Sequence, residues 1–458
     1  MKKVTQTASI ILLLTATILS SCEKWVEVPA SKNQIESSIV FEDLSTATSA
    51  LLGIYYTLNT STSINFKFVS LYADEYAYTA SNATISQFYQ SQLLADNTSN
   101  ASIWNSLFSV VYQCNSLIEG VDNSLGLSIA NRNALTAEAK FLRAYANFYL
   151  LNLYGHIPLL LSTDVNINRL SPQASAAQVY SQIISDLQEA KTGLQISYLG
   201  TGKVRANRLA ASAFLARVYL YQQQWQDAQA EASIVINSGV YSPLPVLDDV
   251  FVAGSKETIL QLWSANGFLA DATSFVPSSS TVLPVYTISN NLYQAFDATD
   301  GRRSKWIGVN RVTSSGVTTL YNFPNKYKNR IANTAKPEYQ MAIRLSEMYL
   351  IRAEAAAQLN NTAQAVSDLN VIRTRATGIS ALEYTLNQQA CIQAVESERQ
   401  RELFGEWGHR LLDLKRTQRI DAVLVPLKSG YKSGVSNLYP IPLGDIAANN
   451  RLIQNNGY

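Results

Sequence analysis

Histidine is nearly missing from this chain: His156 and His409 are the only two among 458 residues. They lie far apart, and neither has a second histidine or a cysteine nearby in sequence, so no zinc-ligand spacing exists. Cysteine is almost as scarce. Cys22, Cys114 and Cys391 show no metal-ligand spacing and exclude a dense disulfide framework; Cys114 and Cys391 are either single thiols or one bridge. Charge is also thin, at 15% of residues with a net value of +2. Lys and Arg are scattered instead of gathered on one stretch, which argues against a nucleic-acid partner. No G-x-S-x-G is present, so an α/β-hydrolase nucleophile elbow has no support. Gly200-Thr201-Gly202-Lys203 fails as a phosphate loop, because the first glycine is misplaced and Val204 stands where Ser or Thr is required.

What is abundant is apolar and aromatic. The chain is 47% apolar, with 25 Tyr, 14 Phe and 6 Trp, enough to build a large core. An excess of tyrosine also suits surfaces that stack on sugars or peptides. The first residues read as a processing signal: Lys2 and Lys3 precede a short apolar run at 8–19 that is too brief for a comfortable membrane span. That run ends in Leu19-Ser20-Ser21-Cys22, which resembles a bacterial lipobox. The reading is a signal peptide over 1–21, lipidation of Cys22, and an extended tether over 22–33. Multiple acyl chains on one residue give stable anchoring. Glu23, in place of the aspartate that goes with inner-membrane retention, favours the outer membrane.

Helical spacing dominates the rest. It predicts helices over 41–58, over 104–120 with a stripe of Trp104, Phe108, Val111 and Ile118, over 137–154, and over 178–194. Trp104 and Trp225 fall in helical stripes and are expected in the core, as is Trp407. Gly155 and Pro158 stop the third helix. A helix-pair pattern of small residues in 206–236 recurs in 349–372, offset by 137 residues when Ala228 is set on Ala365; it matches the tetratricopeptide pattern. Between the two, residues 241–339 break the helical register with Pro, Gly and Ser clusters and β-like runs at 258–263 and 317–323. Long irregular excursions from a rigid scaffold are where binding sites usually sit.

Five ordered motifs are similar to those of the SusD/RagB family. They are Ala137-Glu138-Ala139-Lys140-Phe141-Leu142-Arg143-Ala144-Tyr145 with Tyr154-Gly155-His156-Ile157-Pro158; residues 344–355, reading R-L-S-E-M-Y-L-I-R-A-E-A; residues 368–375, D-L-N-V-I-R-T-R; residues 396–415, with E-R-Q-R-E-L and G-H-R-L-L-D-L-K; and the tail Tyr439-Pro440-Ile441-Pro442 with Gln454-Asn455-Asn456-Gly457-Tyr458. Asn456 stands where the family usually has proline. The resemblance covers nearly the whole chain after the signal. It implies an all-α fold of tetratricopeptide-like helical hairpins with a long, partly β insertion, forming one domain over 34–458, with repeats at about 40–237 and 340–416. It also implies a surface-exposed binding lipoprotein that acts as a lid on a SusC-like TonB-dependent transporter. Its ligand would be a glycan or, alternatively, a peptide or glycoprotein fragment. No enzymatic role and no cofactor are implied.

Residues 396–415 would attract a search for catalysis, because Glu398, Glu402 and Glu406 fall at i, i+4 and i+8. Glycosidase carboxyls must flank a sugar, whereas neighbours on one helix side point the same way. Arg399, Arg401, Arg410 and Arg416 stand at pairing distances from Glu402, Glu406 and Asp413, so a structural ion-pair helix, bent near Gly405 and Gly408, is the expectation. Asp248-Asp249 and Asp297 with Asp300 offer weak Ca²⁺ ligands at most; solvated turns explain them better. For a ligand site, Tyr76, Tyr78 and Tyr89 in the first irregular segment and Phe268, Tyr286 and Trp306 in the excursion are the candidate platforms, with Asn82, Gln87 and Arg302 as polar partners. A sugar needs such a flat aromatic face beside hydrogen-bonding groups. Two rivals remain at this stage: a glycoside hydrolase, and a purely structural subunit or adhesin.

Overall fold

Helices are long where the sequence is Ala- and Leu-rich and stop where caps demand it. In the computed structural model, which describes residues 40–458, the principal helices of the first half are α1 (Leu44–Thr57), α2 (Phe66–Tyr72), α3 (Ala83–Tyr89), α4 (Thr98–Asp122), α5 (Ile129–Tyr154), α6 (Ala176–Gly193), α7 (Arg208–Tyr221) and α8 (Trp225–Asn237). Ser128 caps α5 through the amide of Asn131, and Ser175 with Gln178 forms a capping box on α6. Gly155 ends α5 at φ 77°, a conformation that favours glycine. The second half supplies α9 (Leu345–Gln358), α10 (Thr362–Ala376), α11 (Gln388–Leu403) and α12 (His409–Arg416).

Consecutive helices pack as antiparallel neighbours from α4 through α8, and α8 then packs directly on α9. The two helix pairs that lie 137 residues apart in sequence are thus adjacent in space. Residues 241–339 leave and return at this junction. Within them the longest helices span six residues, Ala270–Phe275 and Asn290–Ala295. The six principal strands form three antiparallel pairs. β1 (Tyr76–Tyr78) pairs with β3 (Tyr286–Ile288), β2 (Thr258–Leu262) with β6 (Gln340–Arg344), and β4 (Ile307–Ser314) with β5 (Val317–Pro324). Among the described residues no helix is long and apolar enough to cross a membrane. The signal peptide, Cys22 and the tether fall outside the described residues.

The core is aromatic. Trp407 meets Phe66 at 4.9 Å, Tyr145 at 5.2 Å and Tyr149 at 5.5 Å between ring centroids, and its indole N–H donates to the Met341 carbonyl at 2.7 Å. Trp104 is also buried, as its stripe predicts, packed on Tyr154. Trp225 departs from expectation: it opens α8 and stays half-buried. The first position of a helix that starts at the scaffold surface leaves part of a large ring outside. Cys114 and Cys391 are both buried free thiols.

The charged motifs fold into buried cross-links. Glu138 takes a bidentate pair from Arg205 and a hydrogen bond from the Tyr55 hydroxyl at 2.7 Å. Arg143, five residues on, binds Asp186 of α6 and Asn115 of α4. Arg217 and Glu347 join α7 to α9 at 2.6 and 2.7 Å. The expected ion-paired helix at 396–415 exists, but its pairing differs. Only Arg401–Glu398 and Arg416–Asp413 are i,i+3 pairs. Glu402 is instead bound by Arg302, Arg344 and Arg375, and Glu406 by Arg344 and Lys326. The reason is burial: the glutamate side of α11 faces inward, so the cations within reach come from elements packed against it. Helix α11 also ends at Leu403, which places Glu406 in the turn between α11 and α12. That turn requires its glycines: Gly405 has φ 71°, and a Cβ there would stand 2.1 Å from the Tyr76 hydroxyl.

Beside this turn, Glu75 is fully buried and accepts from the Gly405 amide at 3.3 Å. Burial, reinforced by the Asp74 carboxylate, pushes its carboxyl up from 4.5 to about 8. Between those values the folded protein holds more protons than the unfolded chain. This contribution is therefore complete below pH 4.5 and is lost as the pH rises to about 8. Glu75→Gln is expected to flatten the fall in urea midpoint between about pH 5 and pH 9; an unchanged slope would refute the assignment.

Candidate functional site

The six predicted platform aromatics do not form one surface. Trp306 is 1% exposed, packed between Phe251 and Phe404, with its N–H donating to the Leu247 carbonyl at 3.1 Å. Tyr76 and Tyr286 are each 3% exposed and share Phe275 as a ring neighbour. These three rings have no face open to a ligand. The physical reason is that the excursion packs with Tyr76 and Phe404 in a satellite core, which needs large side chains as much as a ligand would. Tyr78 sits across the strand pair from Tyr286, 5.6 Å between centroids, and keeps one side partly open. Tyr89 is 38% exposed, but Lys428 lies 4.9 Å from its ring centroid and donates to its carbonyl, which makes it an anchor for the C-terminal loop.

The predicted polar partners are also committed to structure. Asn82 caps α3, and the Gln87 side-chain oxygen Oε1 accepts from the Asn97 side-chain amide and from the Leu94 backbone amide. Arg302 is wholly buried and holds Asp300, Glu398 and Glu402. The loop carboxylates of Asp248 and Asp249 pair with Lys305, Lys328 and Lys336. Asp300 is engaged by Arg302 and caps a short helix. Among the described residues no group of three or more His, Cys, Asp or Glu is placed to hold a metal ion.

Phe268 is placed differently. It lines a surface cavity of about 230 Å³ together with Asn59, Thr60, Ser63, Asn266, Asp271 and Gln340. One wall comes from the end of α1, where the chain widens into a π-helical turn at Leu58–Thr62 and then tightens into a 3₁₀ turn at Ser63–Asn65. The other comes from the turn that follows β2. The Asn59 amide donates to the Trp263 carbonyl at 2.8 Å, and the Ser264 hydroxyl donates to the Phe268 carbonyl at 2.6 Å. These two bonds fix the turn that carries both aromatics. Trp263 itself is not among the residues that line the hollow; it is 52% exposed, and its backbone carbonyl is held by Asn59 of the wall. Asp271 is paired with Lys67 at 3.1 Å, and burial, partly offset by that lysine, raises its carboxyl pKa.

Phe268 is a candidate that the sequence names; Asn59 and Gln340, which line the same hollow, and Trp263, tied to its wall, are not among the sequence candidates. A signal for Trp263 was present. It directly follows the fully buried strand β2 and is followed by Ser264-Ala265-Asn266-Gly267, so it falls where a strand leaves the core. The partners of the pocket are 204 residues apart and lie outside any motif.

The fold and this hollow define a helical-hairpin scaffold that carries an amide-lined surface pocket between the end of α1 and the excursion. Residues 17–220 match the family model described as "Starch-binding associating with outer membrane", and residues 296–458 match the model of the SusD family. The chain belongs to the SusD/RagB family. It is 27% identical over 424 residues to the SusD-like protein P2 of Formosa agariphila, covering 79% of this chain and 81% of that one. It is 24% identical over 432 residues to the starch-binding protein SusD of Bacteroides thetaiotaomicron, covering 74% and 75%. A solved laminarin-binding SusD-like protein shares the fold with a TM-score of 0.75 at 23% identity, covering 90% of this chain and 99% of that one.

Proposed function

We propose that this protein is a lipid-anchored, surface-exposed binding protein that captures oligosaccharides at the Trp263–Phe268 pocket. It would pass them, unaltered, to a SusC-like TonB-dependent outer-membrane transporter. Support for a glycan comes from the description of the matching family model and from the names of relatives that bind starch and laminarin. The observation that carries the site is the hollow lined by Phe268, Asn59, Asn266 and Gln340, with half-exposed Trp263 joined to its wall through the Asn59 amide. The flat face of Trp263 offers stacking to the C–H side of a pyranose, and the amides both donate to and accept from hydroxyls. Tyr78 is the remaining predicted platform with an open side. Capture without chemistry also fits the carboxylates, since Glu398, Glu402 and Glu406 are all engaged by cations in the interior.

Isothermal titration of the purified protein against a panel of neutral polysaccharides and peptides tests the reading. Binding to a glucan is expected, weakened at least about tenfold, or ~1.4 kcal/mol, by Trp263→Ala. Binding to peptides alone would favour the peptide-binding alternative. Breakdown of the glycan by pure protein would overturn the capture mechanism. Co-purification with a large outer-membrane barrel tests the delivery step.

A further inference from the structure

A second cleft, of about 560 Å³, lies on the helical scaffold away from the loops. Its walls are the ends of α7 and α9, the start of α8, and the outward sides of α11 and α12. The volume is that of a ligand site. Six of its lining residues are glutamines, among them Gln223, Gln358, Gln393 and Gln400, and half-buried Trp225 stands among them. The charges in the cleft cancel locally: Arg399 pairs with Asp413, Arg416 with Glu354 and Arg419 with Glu396, while Arg410 is neutralised by Asp74 behind the wall. Two donors are left over. Arg399 is 3% exposed, yet its Nη1 has no hydrogen-bond partner, and the buried Nε2 of Gln400 has none either. A buried donor gains when an acceptor reaches it, and these two nitrogens belong to side chains of the cleft wall.

We propose that this cleft is a second carbohydrate site, which takes one or two units of a neutral, hydroxyl-rich sugar chain. An anionic ligand would meet Glu354, Glu396 and Asp413 around the free guanidinium nitrogen, and a cationic one would meet the arginines. A neutral hydroxyl can accept from the glutamine amides and arginines of the wall and donate in turn to a glutamine carbonyl. Trp225 provides the flat ring against which a pyranose packs. The inference stands on these residues and does not require the Trp263–Phe268 pocket to bind anything.

Hydrogen–deuterium exchange of the purified protein, with millimolar oligosaccharides cut from starch and from laminarin, tests it. Protection is expected in peptides spanning 388–400 and 409–419. It should persist in Trp263→Ala and be lost in Trp225→Ala and in Gln393→Ala. The Gln393 side chain is exposed, so its removal leaves the fold intact. Protection confined to 59–64 and 263–271 would overturn this proposal while supporting the loop site. Cleft protection that survives both cleft variants, or that a neutral tripeptide produces in place of the sugars, would also overturn it.

Discussion

Glu402→Ala is expected to destabilise the protein by about 3–5 kcal/mol, the cost of removing one partner from a buried ionic cluster. Glu402 is 0% exposed and sits between three guanidiniums: Arg302 at 3.0 Å, Arg344 and Arg375. Arg302 also holds Glu398 and Asp300, and Arg344 also holds Glu406. Deleting this carboxylate leaves several cations sharing too few anions in a medium that solvates none of them. Burial alone would raise the Glu402 carboxyl, but Arg375, Arg344 and Arg302 overcome it and hold the pKa well below 4.5. The stability it confers is therefore complete above pH 4.5 and is lost as the pH falls through the depressed value. Urea denaturation at neutral pH gives the size. Repeating it toward acid gives the sign, because Glu402→Ala should lose less to acidification than the parent. Glu396→Ala is the control. Glu396 is half-buried and pairs with Arg419, whose side chain is 49% exposed, so removing it should cost no more than about 1 kcal/mol. A loss below that level for Glu402→Ala would mean that the cluster does not brace the fold.

This cluster explains why so much of the architecture was legible in sequence. Arg344, Arg373, Arg375, Glu398, Glu402, Arg410 and Asp413 are motif residues, and each has an oppositely charged partner in the interior. Charged residues cannot be exchanged freely where both partners are buried, so short charged motifs mark the fold sharply. Some helix limits were readable for a related reason: Gly155, Asn360-Asn361 and the glycines near Trp407 delimit helices by local geometry that leaves a sequence trace. By contrast, α4 and α5 start at Thr98 and Ile129, ahead of the expected 104 and 137. The pairing itself was not readable. Spacing suggested partners within one helix, but Arg302 reaches Glu402 across 100 residues. The ligand surface was less legible still. An aromatic in an irregular segment has two physical uses, packing a satellite core or facing a sugar, and sequence composition is the same for both. Trp306 is buried and Trp263 half exposed within one excursion.

Those two tryptophans define the sharpest contrast in the molecule. Trp306→Ala is expected to cost about 3–5 kcal/mol, the range for truncating a large buried aromatic. Its ring packs on Phe251 at 5.4 Å and on Phe404 at 6.4 Å, and Lys326 Nζ lies 4.7 Å from its centroid. The removed volume would open a cavity beside Lys326 and Arg344, both of which contribute to the Glu402–Glu406 cluster. Trp263→Ala removes a ring that is 52% exposed and should change stability by no more than about 0.5 kcal/mol. The order reverses for ligand. At a temperature where both variants remain folded, Trp306→Ala should bind glucan as the parent does, and Trp263→Ala should not. Thermal unfolding and titration on the same samples separate the two effects. If Trp306→Ala were stable but unable to bind, the excursion would have to open and present that ring. Equal loss of binding in both stable variants would move the ligand site from the Asn59–Phe268 hollow toward the interior of the excursion.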